Sequence, residues 1–85
     1  MSFDVSVSRQ PRYTRVVVKG RASLGQLMSL LVVLEVDSRD WAGDEVLLDL
    51  SGIEGSFAPT EQSQLQDEAQ RRLKRIGRVT VRFTG

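Results

Sequence analysis

The feature that most constrains the fold is a nearly unbroken apolar stretch, Val46-Leu47-Leu48-Asp49-Leu50. Such a stretch is typical of a strand that lies inside a sheet with neighbours on both edges. A segment with helical periodicity precedes it and another follows it, which is the pattern of strand-helix-strand crossovers. We therefore expect this stretch to be the central strand of an α/β sheet.

The two helical segments carry their own start signals. Ser23 is followed three residues later by Gln26, the spacing of a capping box, and leucines then recur at helical spacing. This predicts a helix over about 23–37. Pro59 suits the first turn of a second helix, predicted over about 59–76. The segment between the central strand and Pro59 is expected to be loop from Ser51 onward.

Three further segments have the alternation of strands. Phe3, Val5 and Val7 alternate with polar residues, which predicts a half-buried strand. After a short break, the β-branched run Tyr13 to Lys19 predicts a second strand, antiparallel to the first. Arg78 to Phe83 alternates again and predicts the last strand.

Together these elements read ββαβαβ. With 85 residues the chain is long enough for one domain, so we expect residues 1–85 to form a single domain. The expected fold is a two-layer α/β sandwich, a four-stranded mixed sheet with two helices on one face. The other face would then be bare and would carry Asp4, Ser6, Ser8, Arg15, Val17, Lys19, Leu47, Asp49, Arg78, Thr80 and Arg82.

The composition excludes much of catalytic chemistry. The chain has no cysteine and no histidine, which removes disulfides, thiolate nucleophiles, the usual zinc ligands and the commonest general base. We therefore expect a protein that is not an enzyme and that needs no metal or cofactor. The longest apolar run, Leu30 to Leu34, is far too short for a membrane span, so the expected location is the cytoplasm.

Two surfaces outside the segment that follows the central strand could also bind a partner. Arg15, Lys19, Arg78 and Arg82 should share the bare sheet face, which makes a nucleic acid an alternative partner, although a face with Tyr13 as its only stacking aromatic fits this poorly. The simpler interpretation is a set of solvated arginines. The first helix is unusually apolar, and its flank with Leu30 and Val33 is either partly exposed or covered by a second copy in a homodimer.

One segment resembles a known family. Residues 45–55 form a strand ending in Asp49-Leu50-Ser51-Gly52 before a loop and an amphipathic helix, and this is similar to the STAS domain of anti-sigma-factor antagonists, the SpoIIAA-like group. The upstream strand, the turn at Gly20-Arg21 and the leucine-rich helix agree with the same family. The resemblance covers about residues 3 to 84. It implies a small bacterial regulatory module that binds proteins.

The resemblance has one clear departure. Members of this family carry a phosphoacceptor serine about eight residues after the aspartate that corresponds to Asp49, and here that place reads Phe57-Ala58-Pro59-Thr60. The hydroxyls of Ser51, Ser56 and Thr60 have ordinary roles as turn or cap residues. We therefore expect a STAS-like module without a phospho-switch.

The expected contact site for a protein partner is the loop after the central strand and the start of the second helix. This end of an α/β sheet is where ligands and partners usually bind. The residues proposed for it are Glu54, Ser56, Phe57 and Thr60. Phe57 could be either a plug in the helix-sheet junction or the anchor of an interface. Asp49 is expected to meet Lys19 or Arg78 across the sheet.

Overall fold

The computed structural model describes residues 3–83. Its elements are strands β1 (Phe3–Arg9) and β2 (Thr14–Gly20), helix α1 (Leu24–Asp37), strand β3 (Glu45–Ile53), helix α2 (Pro59–Arg72) and strand β4 (Arg78–Arg82). A single turn of 3-10 helix, Ser38–Asp40, follows α1. The predicted order ββαβαβ is confirmed, and α2 ends four residues earlier than predicted.

The four strands form one mixed sheet in the order β1-β2-β3-β4. β1 pairs with β2 in an antiparallel manner, whereas the β2–β3 and β3–β4 pairs are parallel. The two helices pack on each other and on one side of the sheet, so the predicted two-layer sandwich is confirmed. We call the side of the sheet that faces the helices the inner face and the opposite side the outer face.

The core lies between the inner face and the helices. Its most deeply buried members are aliphatic side chains of the two middle strands, of both helices and of the residue that follows α2, namely Val16, Val18, Val46, Leu48, Leu50, Leu27, Leu31, Leu65 and Leu73. Trp41, which the sequence patterns did not single out, is also buried, and its indole N–H donates to Asp37 Oδ2 at 3.2 Å. This contact ties the segment before β3 to the end of α1.

The first strand is less buried than predicted. Val5 and Val7 are paired with Val18 and Val16 and so face inward, yet each remains 39% exposed. Val5 and Val7 stay exposed because β1 is an edge strand of the sheet and the helices cover β2 and β3 instead. Phe3 alone of the three predicted inward residues packs against the core.

Strand β3 continues beyond the predicted end. Ser51, Gly52 and Ile53 were expected in a loop but belong to the strand. On β2 one residue separates Val17 from Lys19, whereas two residues separate their partners Asp49 and Gly52 on β3. The extra residue is a β-bulge, which interrupts the alternation that marks a strand in a sequence.

The bulge reverses which positions of β3 face inward. Before it Leu48 and Leu50 are buried, and after it Ile53 is buried, so the spacing changes from two to three. Gly52 is required there because a Cβ atom at this position would lie 2.8 Å from Lys19 Cγ and 3.3 Å from the carbonyl oxygen of Val18. The end of β3 is thereby held close against β2.

None of the helices within residues 3–83 is both long enough and apolar enough to cross a membrane.

Candidate functional site

Two chain connections leave the sheet at the same edge, the one formed by the carboxyl ends of strands β2 and β3. Because β2 and β3 are parallel, the segment that leads from β2 into α1 and the segment that leads from β3 into α2 leave the sheet side by side. The N-termini of both helices therefore lie at this edge. In parallel α/β sheets this is the edge where binding sites form.

The segment before α1 has the predicted cap. The amide N–H of Gln26 donates to Ser23 Oγ at 3.2 Å, and the N–H of Ser23 donates to Gln26 Oε1 at 2.8 Å. This reciprocal pair satisfies two N–H groups that a helix start otherwise leaves to solvent. It fixes the direction in which α1 leaves the sheet.

A cluster of three polar side chains holds the bulge of β3. The carboxylate of Asp49 accepts hydrogen bonds from the hydroxyl of Ser51 at 2.6 Å and from the backbone N–H of Ser51 at 3.0 Å. The Arg15 guanidinium lies 3.2 Å from the other carboxylate oxygen. The side chain of Asp49 is only 6% exposed although it lies on the outer face.

These partners stabilise the ionised form of Asp49. The hydroxyl of Ser51, the N–H of Ser51 and the Arg15 guanidinium together hold the pKa of Asp49 below its usual value, against the opposing effect of burial. The carboxylate thus accepts the backbone N–H of Ser51 at the position where the bulge interrupts the register of β3. Asp49-Leu50-Ser51-Gly52, the motif that carries the family resemblance, has a structural role in shaping this edge.

The predicted partner of Asp49 was wrong. It was expected to meet Lys19 or Arg78, but the ion pair is with Arg15. The register explains the difference, because Lys19 is paired with Gly52 beyond the bulge and Arg78 is paired with Glu45 at the opposite end of β3.

The loop between β3 and α2, residues 54–58, is fixed at three points. The N–H of Glu54 donates to the carbonyl of Gly20 at 2.7 Å, which joins the loop to the end of β2. The Gln62 side chain donates to the carbonyl of Phe57 at 3.1 Å, and the N–H of Ala58 donates to Glu61 Oε1 at 2.9 Å. We call residues 54–58 the β3–α2 loop.

Three of the four proposed contact residues are exposed at this edge. Glu54, Ser56 and Thr60 all have exposed side chains, and Thr60 lies in the first turn of α2. The carboxylate of Glu54 lies 3.4 Å from the Arg21 guanidinium, with both side chains largely in solvent. This edge therefore presents an exposed ion pair, Glu54 with Arg21, and the hydroxyls of Ser56 and Thr60.

Phe57 is placed differently from the other three. Its side chain is half-buried, packs against the core, and lines a small cavity with Leu50, Ile53, Gln62 and Phe83. Of the two roles considered for this aromatic, the geometry favours the plug. It closes the junction between the sheet and α2 under the exposed part of the loop.

Sequence reasoning missed two residues of this edge. Arg21 was noted only as part of a turn, and its contact with Glu54 depends on the parallel pairing of β2 with β3. Gln62 lies one helical turn into α2 and holds the loop through the Phe57 carbonyl, for which the sequence offered no signal. The Asp49–Ser51 contact did have one, since an aspartate often bonds the backbone two residues on.

The four basic residues of the alternative nucleic-acid surface do share the outer face. Two of them lie near acids, Arg15 at 3.2 Å from Asp49 and Arg78 at 4.0 Å from Glu45. Lys19 and Arg82 form no ion pair with any residue of the described part of the chain. The positive charge of this face is therefore partly balanced, and nucleic-acid binding stays a prediction.

The apolar flank of α1 is partly exposed in the single chain, which agrees with both expectations for it. Val33 is 61% exposed, while Leu30 is half-buried. Leu30, Val33 and Phe3 line one shallow groove between α1 and the start of β1. The predicted homodimer through this flank is not tested by these contacts.

Comparison with known proteins gives no match in sequence and a clear match in structure. No protein-family model matches the chain, and no curated protein matches it. A crystal structure of an antisigma-factor antagonist STAS domain from Rhodobacter sphaeroides matches 98% of this chain and 86% of its own, with a TM-score of 0.62 and 21% sequence identity. At that identity the match shows the fold.

Two crystal structures of Mglu match as well. The native form aligns with 93% of this chain at a TM-score of 0.59 and 18% identity, and the L-glutamate binding form aligns with 91% at 0.58 and 16%. The chain covers only 23% and 26% of these structures, so in Mglu the fold is part of a larger chain. The chain thus has the fold of a STAS domain, which confirms the resemblance found in residues 45–55.

Proposed function

We propose that this chain is a regulatory module that binds a protein partner and catalyses no reaction, as a single STAS-like domain in the cytoplasm. The observation that carries the proposal is the match over 98% of the chain to a domain described as an antisigma-factor antagonist. An anti-sigma factor or a protein of similar design is accordingly the partner class that we infer.

The contact site that we propose is the β3–α2 loop with the first turn of α2. The loop backbone is fixed by hydrogen bonds from Glu54, Gln62 and Ala58, so its exposed side chains are presented in one arrangement. A fixed loop loses little conformational entropy on binding, which favours affinity. Glu54, Ser56 and Thr60 would contact the partner directly, and Phe57 would support them from below.

We further propose that this module works without phosphorylation of a serine in the loop. Phe57-Ala58-Pro59 occupies the place of the acceptor, and Phe57 is half-buried. The hydroxyl of Ser51 is engaged by Asp49 at 2.6 Å. Intact-mass measurement after incubation with cell extract and ATP should show no single stoichiometric phosphate on Ser51, Ser56 or Thr60.

Affinity capture with matched variants tests the proposed site. Glu54→Lys reverses a charge in the loop, and Asp67→Lys makes the same charge change at an exposed position of α2 outside it. We expect the wild type and Asp67→Lys to retain the same protein and Glu54→Lys to lose it, with all three folded. Equal retention by both variants would exclude the loop as the contact site.

The alternative partner, a nucleic acid on the outer face, predicts a different result. Phosphate contacts by Arg15, Lys19, Arg78 and Arg82 would make binding fall steeply with salt concentration. Asp49 and Glu45 next to two of these bases oppose such binding. A salt titration with a labelled oligonucleotide separates the two proposals.

A further inference from the structure

The outer edge of β1 has no pairing partner in the described part of the chain. β1 forms one side of the sheet, and within residues 3–83 its seven residues pair with no strand other than β2. The backbone N–H and C=O groups that point away from β2 are therefore open to another strand. An open strand edge of this length is a template for pairing with another chain.

The two edges of this sheet differ in how they are protected. β4 at the opposite edge has five residues and carries Arg78 and Arg82, and short, charged edge strands resist pairing. β1 is two residues longer and contains no proline, no lysine and no bulge, and its two charged residues, Asp4 and Arg9, lie near its ends. Its inward-facing residues Val5 and Val7 are each 39% exposed because the helices do not cover them.

We propose that the β1 edge pairs with the β1 edge of a second copy of this chain, antiparallel and centred on Ser6. The two-fold axis would run perpendicular to the sheet, between Ser6 of one copy and Ser6 of the partner subunit. It would keep the inner faces of both copies on the same side. The two sheets would then join into one of eight strands. The pairing uses none of the residues of the proposed protein-binding loop.

The sequence of β1 fits itself in this register. Val5 lies opposite Val7 of the partner subunit on the inner face, and Ser6 lies opposite Ser6 of the partner subunit on the outer face. Asp4 lies opposite Ser8 of the partner subunit, and Arg9 lies opposite Phe3 of the partner subunit. No like charges are opposed, all seven residues are paired, and the exposed valines cover each other.

Other registers fit less well. A shift by one residue would place the valines of one copy beside the outer-face serines of the other, because successive residues of a strand point to opposite faces. A shift by two residues leaves the strand ends unpaired. In one direction it places Val5 of one copy opposite Arg9 of the partner subunit, and in the other direction it places Val5 opposite Val5 of the partner subunit. The two-fold pairing also closes on itself, because both copies contribute the same β1 edge, and so it ends at a dimer.

This inference differs from the homodimer predicted at Leu30 and Val33. It places the contact on the edge of β1, with the groove of Phe3, Leu30 and Val33 beside it. The flank of α1 is not needed for pairing. Val36, which is 58% exposed on α1, therefore supplies a control position outside the interface.

Engineered cysteines test the register directly, because the natural chain contains none. Ser6→Cys would place two thiols opposite each other at a Cα separation of about 5 Å, within the range that a disulfide spans. Ser8→Cys is the matched control, since it lies on the same strand and face but about 14 Å from its own copy in the partner subunit. We expect Ser6→Cys to form a covalent dimer under mild oxidation at least tenfold faster than Ser8→Cys.

Charge substitutions test the same pairing without a covalent bond. Val5→Lys with Val7→Lys opposes like charges across the axis, whereas Val5→Lys with Val7→Glu opposes unlike ones, and in the monomer both positions reach solvent. Sedimentation equilibrium should show a dimer for the wild type, for Val36→Lys and for the Lys/Glu chain, and at least a tenfold weaker dimer for the Lys/Lys chain.

Three results would overturn this inference. One is a wild type that remains a monomer from micromolar to millimolar concentration, and another is equal cross-linking of the two cysteine variants. The third is protection of β1 amides that appears only when the captured protein is added, which would assign the edge to a strand of that protein. The loop variant Glu54→Lys should still dimerise, so failure of the proposed function and failure of the dimer are distinguishable.

Discussion

The hydroxyl of Ser51 donates a 2.6 Å hydrogen bond to Asp49 Oδ1, and the backbone N–H of the same serine donates to the same oxygen at 3.0 Å. The two residues belong to one strand and are two positions apart. Their contact holds the bulge that turns the end of β3 toward the loop where we propose that a partner binds. The stability of this edge should therefore depend on the charge of Asp49.

Replacing Asp49 with asparagine should lower the free energy of unfolding at neutral pH by about 1–2 kcal/mol, because hydrogen bonds to a charged acceptor are stronger than those to an amide. The ion pair with Arg15 is lost in the same variant. Urea denaturation followed by circular dichroism measures the difference. An unchanged midpoint would show that the contact carries no stability.

The effect of this substitution should depend on pH. The pKa of Asp49 is lower in the folded chain than in the unfolded one, so its contribution is complete above the unfolded value of about 3.9 and is lost as the pH falls through the folded value. The difference between wild type and Asp49→Asn should be largest near neutral pH and should shrink below about pH 4. A difference that stays constant in acid would contradict the lowered pKa.

Gly52→Ala should destabilise the chain by about 1–3 kcal/mol, because the new methyl group meets Lys19 and the backbone of Val18. Gly25→Ala is the control, since an added Cβ there has no neighbour closer than 4.0 Å and alanine favours the helix. Thermal melts of both variants should move in opposite directions. A neutral Gly52→Ala would mean that β2 and β3 are less closely held than the structure shows.

Thr14→Val should leave the stability unchanged or raise it by about 1 kcal/mol. Thr14 is fully buried on the inner face, and its Oγ1 has no hydrogen-bond partner within residues 3–83. Valine has nearly the same shape and removes the cost of burying the hydroxyl. Thr14→Ala serves as the comparison and should be destabilising, because it leaves a cavity. A loss of stability in the valine variant would indicate that the hydroxyl has a bonding partner.

Phe57→Ala should lower the free energy of unfolding by about 1–3 kcal/mol, less than for a fully buried phenylalanine because the ring is only half-buried. Phe57→Leu should recover most of the loss. If Phe57→Ala instead melts like the wild type but no longer retains the partner, the residue is an interface anchor and its role as a plug is wrong.

Features that depend on neighbours in the sequence could be predicted well. The Ser23–Gln26 cap needs only residues three apart, and the alternation of β4 and the leucine spacing of α1 report burial directly. The continuous apolar run of β3 identified the middle of the sheet. These signals were enough to define the order of elements and the two layers.

Features that depend on how strands align with one another could not be predicted from the sequence. The bulge at Ser51 breaks the alternation, so a strand end looked like a loop. The partner of Asp49 follows from the register of β2 against β3, which no local pattern contains. The exposure of Val5 and Val7 depends on where the helices end across the sheet, and the inward placement of Phe57 depends on the fold of the loop around it.

The most direct test of the proposed function is a map of the contact surface by NMR. The 15N-labelled chain would be titrated with the protein that affinity capture retains. We expect amide shifts to concentrate at residues 52–62 and at Arg21, and we expect Glu54→Lys to remove them. Shifts concentrated on the outer face around Lys19 and Arg82, with residues 52–62 unchanged, would contradict it.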